Sequence, residues 1–270
     1  IDAVFPLVHG TTGEDGALQG LFDLAGVPYV GSGILGSALG LDKVAQKYIL
    51  SRAGLPVARF VTFRNSDWQK RRPELIDEIE SRLGYPAFVK PANLGSSVGI
   101  TKAHHRTELE DGVRLALGHD EKILVERAVS AAREIECGVI GNDEPRASVL
   151  GEVIPGNEFY DYDAKYTAGK SRVIIPSELP LGLAETLRQY ARRAFLALDS
   201  RGFARVDFLI DGDTNDVILN EINTIPGFTK TSMFPMLWAA SGLAMPKLLD
   251  TLVDLALDGR MKDPKGGRKK

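Results

Sequence analysis

Residues 203–223 read FARVDFLIDGDTNDVILNEIN, and this stretch decides the fold that we expect for the chain. Its apolar residues predict two β-strands, at 203–210 and 216–223. The polar sequence DGDTND between them is typical of a turn, which predicts that the two strands pair as an antiparallel hairpin.

The hairpin carries polar residues at positions that share a face. Side chains two residues apart on a strand point the same way, so Arg205 lies beside Asp207, and Glu221 lies beside Asn223. Pairing of the strands brings Asp207 opposite Glu221. Two half-buried carboxylates repel each other, so we expect a cation between them. Oxygen ligands without His or Cys favour Mg²⁺ or Mn²⁺ over zinc.

Composition is that of a globular protein without a nucleic-acid partner. The chain has 270 residues, 44% of them hydrophobic and 26% charged, with a formal net charge of −3. No apolar run is long enough to cross a membrane and no secretory signal is visible, so we expect a cytoplasmic protein. The single Cys137 lies in an apolar context and predicts a buried, inert thiol.

Periodicity along the chain predicts an α/β protein built of α+β modules. Residues 1–33 read as a βαβ unit that is half of a parallel-sheet domain, 34–122 as a central α+β module, 123–260 as a C-terminal module and 261–270 as a basic tail. The predicted strands are 2–8, 27–30, 57–63, 85–90, 97–103, 122–129, REIECGVIG, ASVLGEVI and the hairpin. The predicted helices are 16–25, 42–50, 73–83, 107–117, 183–198, 233–241 and 246–257.

The sequence GSGILG at 31–36 matches the glycine pattern of dinucleotide-binding folds. The next predicted strand ends in Phe63 and Arg64, without the acidic residue that would hold a ribose. We therefore disfavour a dehydrogenase and interpret the glycines as a tight turn that links two modules.

The sequence VKPANLGSSVGI at 89–100 joins two predicted strands by a loop of small residues. Lys90 supplies a point charge, and the backbone amides and hydroxyls around Gly95, Ser96 and Ser97 could surround an anion. An ordinary hairpin turn with solvated serines explains the same residues equally well. The lysine precedes the glycines, so this is not a Walker loop.

One histidine differs from the other three. His104, His105 and His119 lie in or next to a predicted surface helix and are expected to be solvated. His9 ends the first predicted strand in HGTTGEDG, where open α/β sheets place ligands, so His9 and Glu14 are site candidates.

Six motifs in order resemble those of the D-alanine:D-alanine ligases of the ATP-grasp superfamily. They are HGTTGEDGALQGLFDLAGVPYVGSG, LDKVAQK, VKPANLGSSVGI, YDYDAKY, GFARVDF and LNEINTIPGFTKTSMFP. The resemblance runs from Ile1 to about residue 258. It implies two α+β subdomains that clasp ATP, preceded by a partial parallel-sheet domain.

The resemblance also implies a set of nucleotide and metal ligands. Asp207, Glu221 and Asn223 would hold two Mg²⁺ ions. The residues implied for ATP are Lys43 and Lys90 on its phosphates, Gly95, Ser96 and Ser97 folded over them, Glu126 and Val129 at the adenine, Glu134 at the ribose and Lys165 at the γ-phosphate.

The same resemblance implies how D-alanine is held. Arg205 and the Gly227 amide would stabilise a tetrahedral oxyanion, and Ser232 with Met233 at a helix N-terminus would bind the second carboxylate. Ser96 and Tyr166 would close a loop over the first D-alanine.

The implied activity is the ATP-dependent, ADP-forming ligation of two D-alanines for peptidoglycan synthesis, by a homodimer. Tyr166 favours D-alanine over D-lactate as acceptor. A ligase with D-lactate or D-serine as acceptor is the second hypothesis, and a nucleotide-binding protein without ligase activity is the third. Family members carry a further glycine-rich segment with a Glu before the position of Ile1. Its absence here predicts a fragment or a loss, weakened binding of the first D-alanine and an exposed sheet edge near 2–8.

Overall fold

The computed structural model describes residues 1–95, 97–155 and 171–261. In this part of the chain the helices are α1 Ala17–Ala25, α2 Ile34–Leu41, α3 Lys43–Arg52, α4 Asn65–Arg82, α5 Arg106–Leu117, α6 Leu181–Ala197, α7 Met233–Ala240 and α8 Met245–Met261. The strands are β1 Phe60–Arg64, β2 Ala87–Pro91, β3 Thr101–Ala103, β4 Lys122–Arg127, β5 Arg133–Gly141, β6 Arg146–Pro155, β7 Ser171–Ile174, β8 Gly202–Ile210 and β9 Val217–Asn223.

Two antiparallel sheets organise these elements. One has four strands in the order β1-β4-β2-β3, and the other has five in the order β7-β6-β5-β8-β9. The predicted hairpin is confirmed, since β8 pairs with β9 in antiparallel register. The strand β7 is an addition that the sequence did not predict.

The four-stranded sheet buries one face under α4 and α5. The apolar residues of this core alternate along the strands, as Val61, Ala87 and Val125 do, and pack against helix residues such as Ile79 and Leu109. The opposite face of the same strands carries Phe88, Lys90 and Glu126. This sheet therefore presents a polar face away from its helices.

The five-stranded sheet is built in the same way on α6. Residues that alternate along β5 and β8, such as Cys137 and Val206, pack with Phe195 of that helix. Leu50 of α3 joins this core, so α3 is anchored on the five-stranded sheet although it precedes the other sheet in the chain. Part of the second face is covered by α7, which contacts β5 and β6.

The sequence predicted a boundary between the central and C-terminal modules at residues 122 and 123, and this boundary is wrong. The strand that follows it, β4, belongs to the sheet of the central module. The strand β4 begins at Lys122 and lies between β1 and β2 in the four-stranded sheet. Its length and apolar pattern resemble those of the later strands, and only its pairing partners reveal the sheet to which it belongs.

The predicted strands at 2–8 and 27–30 are also wrong as strands. A single parallel bridge joins Val4 to Tyr29, with hydrogen bonds from the Val4 amide to Pro28 and from the Val30 amide to Val4. The helix between the two segments is confirmed as α1. Contact of Phe5 with the rings of Phe203 and Phe228 attaches this N-terminal segment to the rest of the protein.

The glycines of GSGILG serve packing. Helix α2 begins directly at Ile34, and a Cβ on Gly36 would lie 2.4 Å from the Asp199 carbonyl oxygen. The helix therefore approaches the α6–β8 connection more closely than any side chain would allow. The next strand, β1, is antiparallel to its neighbour, which excludes a dinucleotide-binding βαβ unit at this place.

Helix α4 contains a proline that the sequence placed at a helix start. The backbone of Arg71 leaves helical geometry two residues before Pro73, so that α4 is two helical segments joined at a kink. Proline is compatible with the first turn of the second segment.

Candidate active site

The two carboxylates that the sequence placed opposite each other are confirmed in that position. Asp207 of β8 is the direct partner of Glu221 of β9, and Arg205 is the partner of Asn223. The Asn223 side-chain amide donates to Asp207 Oδ2 at 2.9 Å. All four residues lie on the sheet face opposite α6.

The cation beside Asp207 in the structure is Arg205. Its Nε and Nη2 donate to the two Asp207 oxygens at 2.7 Å each, which is a bidentate pair. Arg205 Nε also lies 3.0 Å from Glu136 Oε2. Burial lowers the pKa of Arg205, but Asp207 and Glu136 outweigh burial and raise it well above its usual value.

A β-bulge sets the direction of the Glu221 side chain. Asp207 pairs with Glu221 while the next residue, Phe208, pairs with Leu219, which leaves Asn220 as an extra residue in β9. In an uninterrupted strand Leu219 and Glu221 would share a face. Because Asn220 is inserted between them, Leu219 packs in the core under α6 while Glu221 faces Asp207.

A second charged cluster lies on β2, β4 and α3. The Glu126 carboxylate contacts Lys47 Nζ through Oε1 and Lys90 Nζ through Oε2, each at 2.5 Å. Burial raises the pKa of Glu126, but the two ammonium groups outweigh burial and lower it to about 2. Burial lowers the pKa of Lys47, whereas Glu126 outweighs burial at Lys90 and raises its pKa.

Helix α3 connects this cluster to β9. Lys47 Nζ donates to the carbonyl of the bulge residue Asn220 at 3.0 Å. The Gln46 amide donates to the Ile222 carbonyl and accepts from the Ile222 amide, both at 3.0 Å. Since β9 is the outer strand of its sheet, Gln46 supplies the pair of bonds that a further strand would make.

The start of α3 is fixed by its cap. The Asp42 carboxylate accepts from the amides of Val44 and Ala45 at 3.0 Å, as an N-cap residue does. This places Lys43 in the first turn, where its ammonium donates to the Leu94 carbonyl in the β2–β3 loop.

One small cavity between the sheets joins the second cluster to Glu221 of the first. It is lined by Lys43, Gln46, Lys47, Lys90, Leu124, Glu126, Asn220 and Glu221. The sequence predictions of Lys43, Lys90, Glu126 and Glu221 as site residues therefore meet at one place.

The N-terminal loop reaches the same region. A Cβ on Gly95 would lie 3.8 Å from Glu14 Oε2, and the same oxygen accepts from the Gly10 amide at 2.5 Å. Burial raises the pKa of Glu14, and the charge of Glu221 acts in the same direction. His9 is exposed, and its electrostatic effect lowers the pKa of Glu14, against the effect of burial.

The remaining candidates lie around this centre or outside the described residues. Ser97 has a left-handed backbone in the β2–β3 loop, Val129 follows β4, and Glu134 lies on the same face of β5 as Glu136. Ser96, Lys165 and Tyr166 lie outside the described residues.

The turn after β9 leads into α7. A Cβ on Gly227 would lie 2.9 Å from Ser232 Oγ, so a side chain at this position would displace the Ser232 hydroxyl. Ser232 is the N-cap residue of α7, and its Oγ accepts from the Thr229 amide at 3.0 Å. The Met233 side chain is buried against Val153 and Leu237, which leaves its backbone amide as the group that faces the helix N-terminus.

Lys47, Gln46 and Glu136 are the site residues that sequence reasoning missed. Lys47 follows Val44 by three residues and precedes Leu50 by three, so it occupies the apolar stripe of α3, where a lysine is unexpected. Glu136 follows Glu134 by two residues, which places both on one face of a strand.

Comparisons with known proteins agree with this geometry. The family model described as D-ala D-ala ligase C-terminus matches residues 49–254, and the model described as D-ala D-ala ligase N-terminus matches 1–32. A D-alanine–D-alanine ligase of Acetivibrio thermocellus is 51% identical over 257 residues, covering 95% of this chain and 68% of its own. One from Thermoanaerobacter sp. is 53% identical over 259 residues, covering 96% and 71%.

Solved structures of the same kind superimpose closely. The D-alanine-D-alanine ligase of Coxiella burnetii has a TM-score of 0.85 at 39% identity, covering 98% of this chain and 70% of its own. The VanG D-Ala:D-Ser ligase of Enterococcus faecalis has a TM-score of 0.85 at 38% identity, covering 95% and 73%.

Two α+β units with lysines and carboxylates between their sheets define an ATP-grasp enzyme, which binds ATP and acts on small molecules. Within this class the chain belongs to the D-alanine–D-alanine ligase family.

Proposed function

We propose that the protein joins two D-alanines to D-alanyl-D-alanine with ATP, forming ADP and phosphate, and thereby supplies peptidoglycan synthesis. The observation that carries the proposal is the cavity between the two sheets, where Lys43, Lys90, Glu126 and Glu221 meet in a member of this family. The lysines suit phosphates, and the carboxylates suit a metal ion that accompanies them.

ATP would be held from both sheets. Lys43 and Lys90 neutralise its phosphates, with Lys165 at the γ-phosphate, and the loop of Gly95, Ser96 and Ser97 covers them. Glu126 and the backbone at Val129 would meet the adenine, and Glu134 the ribose. The position of two strands supports this arrangement, because β2 and β4 border the cavity through Lys90, Leu124 and Glu126.

The metal ligands would be Asp207, Glu221 and Asn223, which fit Mg²⁺ or Mn²⁺ because each offers a hard oxygen. Within 1–95, 97–155 and 171–261, no group of three or more His, Cys, Asp and Glu is arranged to hold a metal ion. The proposed ligands are two carboxylates, of Asp207 and Glu221, and the side-chain amide of Asn223. When bound, the ions supply positive charge that stabilises the phosphate oxygens during transfer.

The reaction has two steps that both place negative charge on oxygen. A carboxylate oxygen of the first D-alanine attacks the γ-phosphorus of ATP, the bond to the bridging oxygen breaks, and ADP leaves. The amine of the second D-alanine then attacks the acyl phosphate carbon, loses a proton and expels phosphate. Arg205 and the Gly227 amide stabilise the tetrahedral oxyanion of this second step.

The substrates would be positioned by residues at the edge of the cavity. The Ser232 hydroxyl and the Met233 amide suit the carboxylate of the second D-alanine, because the N-terminus of α7 favours an anion. Glu14 and His9 border the site of the first D-alanine, which Ser96 and Tyr166 would close. Closure keeps water away from the acyl phosphate.

The first test is phosphate release from ATP in the presence of D-alanine. We expect D-alanine-dependent release by the chain, and a loss of about 100-fold or more when Glu221 is replaced by Gln. Glu152→Gln is the control, because Glu152 is a buried carboxylate paired with Arg133 on the α6 side of the sheet. A Glu221→Gln variant with undiminished release would refute the metal assignment.

D-Serine or D-lactate as acceptor is the alternative, since one similar structure is a D-Ala:D-Ser ligase. Release that requires D-serine or D-lactate beside D-alanine would replace the dipeptide proposal. ATP binding without any turnover would instead favour a nucleotide-binding protein. We also propose a homodimer in the cytoplasm, with the mass in solution as the check of the dimer.

A further inference from the structure

We propose that Glu126 competes with a bound phosphate for the Lys90 ammonium, and that Lys47 is the positioning residue that stays with Glu126 when Lys90 moves to the phosphate. The inference rests on the proposed nucleotide site. It adds to that site an exchange of ion pairs and a role for Lys47.

The starting observation is that one carboxylate has two cations. Lys47 and Lys90 each contact a different oxygen of Glu126 at 2.5 Å, so the trio carries one positive charge in excess. Glu126 is 3% exposed, so its carboxylate is shielded from solvent. A second anion that approaches this trio therefore meets one ammonium that the carboxylate does not need.

The two lysines are not equivalent. Lys47 is fixed twice, by Glu126 and by the Asn220 carbonyl, and its side chain is 3% exposed. The Lys90 side chain is 14% exposed and stands at the end of β2, directly before the loop that contains Gly95. Lys90 is thus the lysine that can move towards an anion in the cavity.

Charge balance explains why both lysines are needed. If Lys90 leaves Glu126 for a phosphate, the buried carboxylate keeps the Lys47 ammonium as its counterion. Without Lys47 the same movement would strand an unpaired charge in the interior, which costs more than the pair contributes. Lys47 therefore lowers the cost of releasing Lys90, although it does not itself touch the phosphate.

Magnesium tripolyphosphate is the probe, because it has phosphates but no adenine for Glu126 to contact. Glu126→Gln removes the competitor, so we expect tripolyphosphate to bind at least threefold more tightly than to the wild-type chain in calorimetry. Glu152→Gln, the control, removes a paired carboxylate from the α6 face of the five-stranded sheet and should leave the affinity unchanged. Unchanged or weaker binding to Glu126→Gln would overturn the proposal.

The exchange is tested by combining two substitutions. Lys47→Met should weaken tripolyphosphate binding at least tenfold, because Glu126 then holds Lys90 alone. Adding Glu126→Gln to Lys47→Met should restore binding by a larger factor than Glu126→Gln gives in the wild-type chain. Equal factors in both backgrounds would show simple removal of charge and would refute competition.

These readouts are independent of ligase activity. Tripolyphosphate binding and its change in Glu126→Gln can be measured even if the chain does not turn over D-alanine. If Lys47→Met does not fold by circular dichroism, Lys47→Gln replaces it, alone and combined with Glu126→Gln, and the same comparison of factors decides the proposal.

Discussion

The lysines and glutamates of proteins are mostly exposed, but Lys47 and Glu126 of this site are buried and form an ion pair. Lys47 and Glu126 are each 3% exposed, and Glu126 is ionised because its two lysines outweigh the effect of burial on its pKa. The pair is part of the folded structure and contributes to its stability as well as to its chemistry.

Acid should therefore weaken the protein through Glu126. The pKa of its carboxyl is about 2 in the folded chain and 4.5 when unperturbed, so the unfolded state binds the proton first as pH falls. The stabilisation is complete above pH 4.5 and is lost as pH falls towards 2. Urea unfolding of the wild type and of Glu126→Gln should show a difference in unfolding free energy that shrinks across this range. A difference that stays constant with pH would contradict the assignment.

Cys137 shows the opposite balance, because burial outweighs the charges of Arg188 and Arg192 at its thiol. Its side chain is fully buried, and burial raises the pKa of the thiol to about 12. The sequence prediction of a buried thiol is confirmed. It was possible because the apolar residues around Cys137 can be read from the sequence itself.

At the scale of elements, α3 is the part that fixes the site. Its residues Gln46 and Lys47 bond to the backbone of β9, and its cap places Lys43 beside the β2–β3 loop. One helix thus sets the distance between the outer strand of one sheet and the charged face of the other.

Replacement of Gln46 by Leu should destabilise the protein by about 1–3 kcal/mol, because the buried amide and carbonyl of Ile222 lose their partner. Urea unfolding measures the loss. Gln69→Leu on the exposed side of α4 is the matched control, since its side chain makes a single bond to Asn65 at 3.3 Å. Equal stability of the two variants would show that Gln46 is not an anchor of β9.

Most elements and much of the site could be predicted from the sequence, for reasons that these elements illustrate. The hairpin of β8 and β9 follows from its alternating apolar residues and its turn. The pairing of Asp207 with Glu221 depends in addition on the bulge at Asn220, because the regular register from Ile210 onwards would pair Asp207 with Asn220. The sheet to which β4 belongs could not be predicted, because pairing depends on distant strands. The pairing of Glu126 with Lys47 is of the same kind, since the two residues meet only when α3 packs on β4.

At the scale of the molecule, two separate cores support one site. The core under α4 and α5 belongs to the four-stranded sheet, and the core under α6 belongs to the five-stranded sheet. The cavity between the sheets is lined from both. In the part of the chain that the structure describes, no helix is long and apolar enough to cross a membrane.

A nucleotide that binds between the sheets should stabilise both. At a concentration of MgADP about 100 times its Kd, we expect the unfolding free energy to rise by about 2.7 kcal/mol. Hydrogen exchange should slow in β4 and in β9 together, because each carries residues that line the cavity. Protection confined to one sheet would place the nucleotide elsewhere.

The bulge in β9 also determines how the strand tolerates changes in length. Asn220 is the residue that β9 has in excess over β8, so its deletion would leave Leu219 and Glu221 as neighbours that point to opposite faces, each still across from its present partner. Deletion of any other single residue between Leu219 and Asn223 would shift the phase of the side chains around it. Asn220 is therefore the position at which β9 could be shortened with its other side chains still on their present faces. The deletion would remove the carbonyl to which Lys47 Nζ donates.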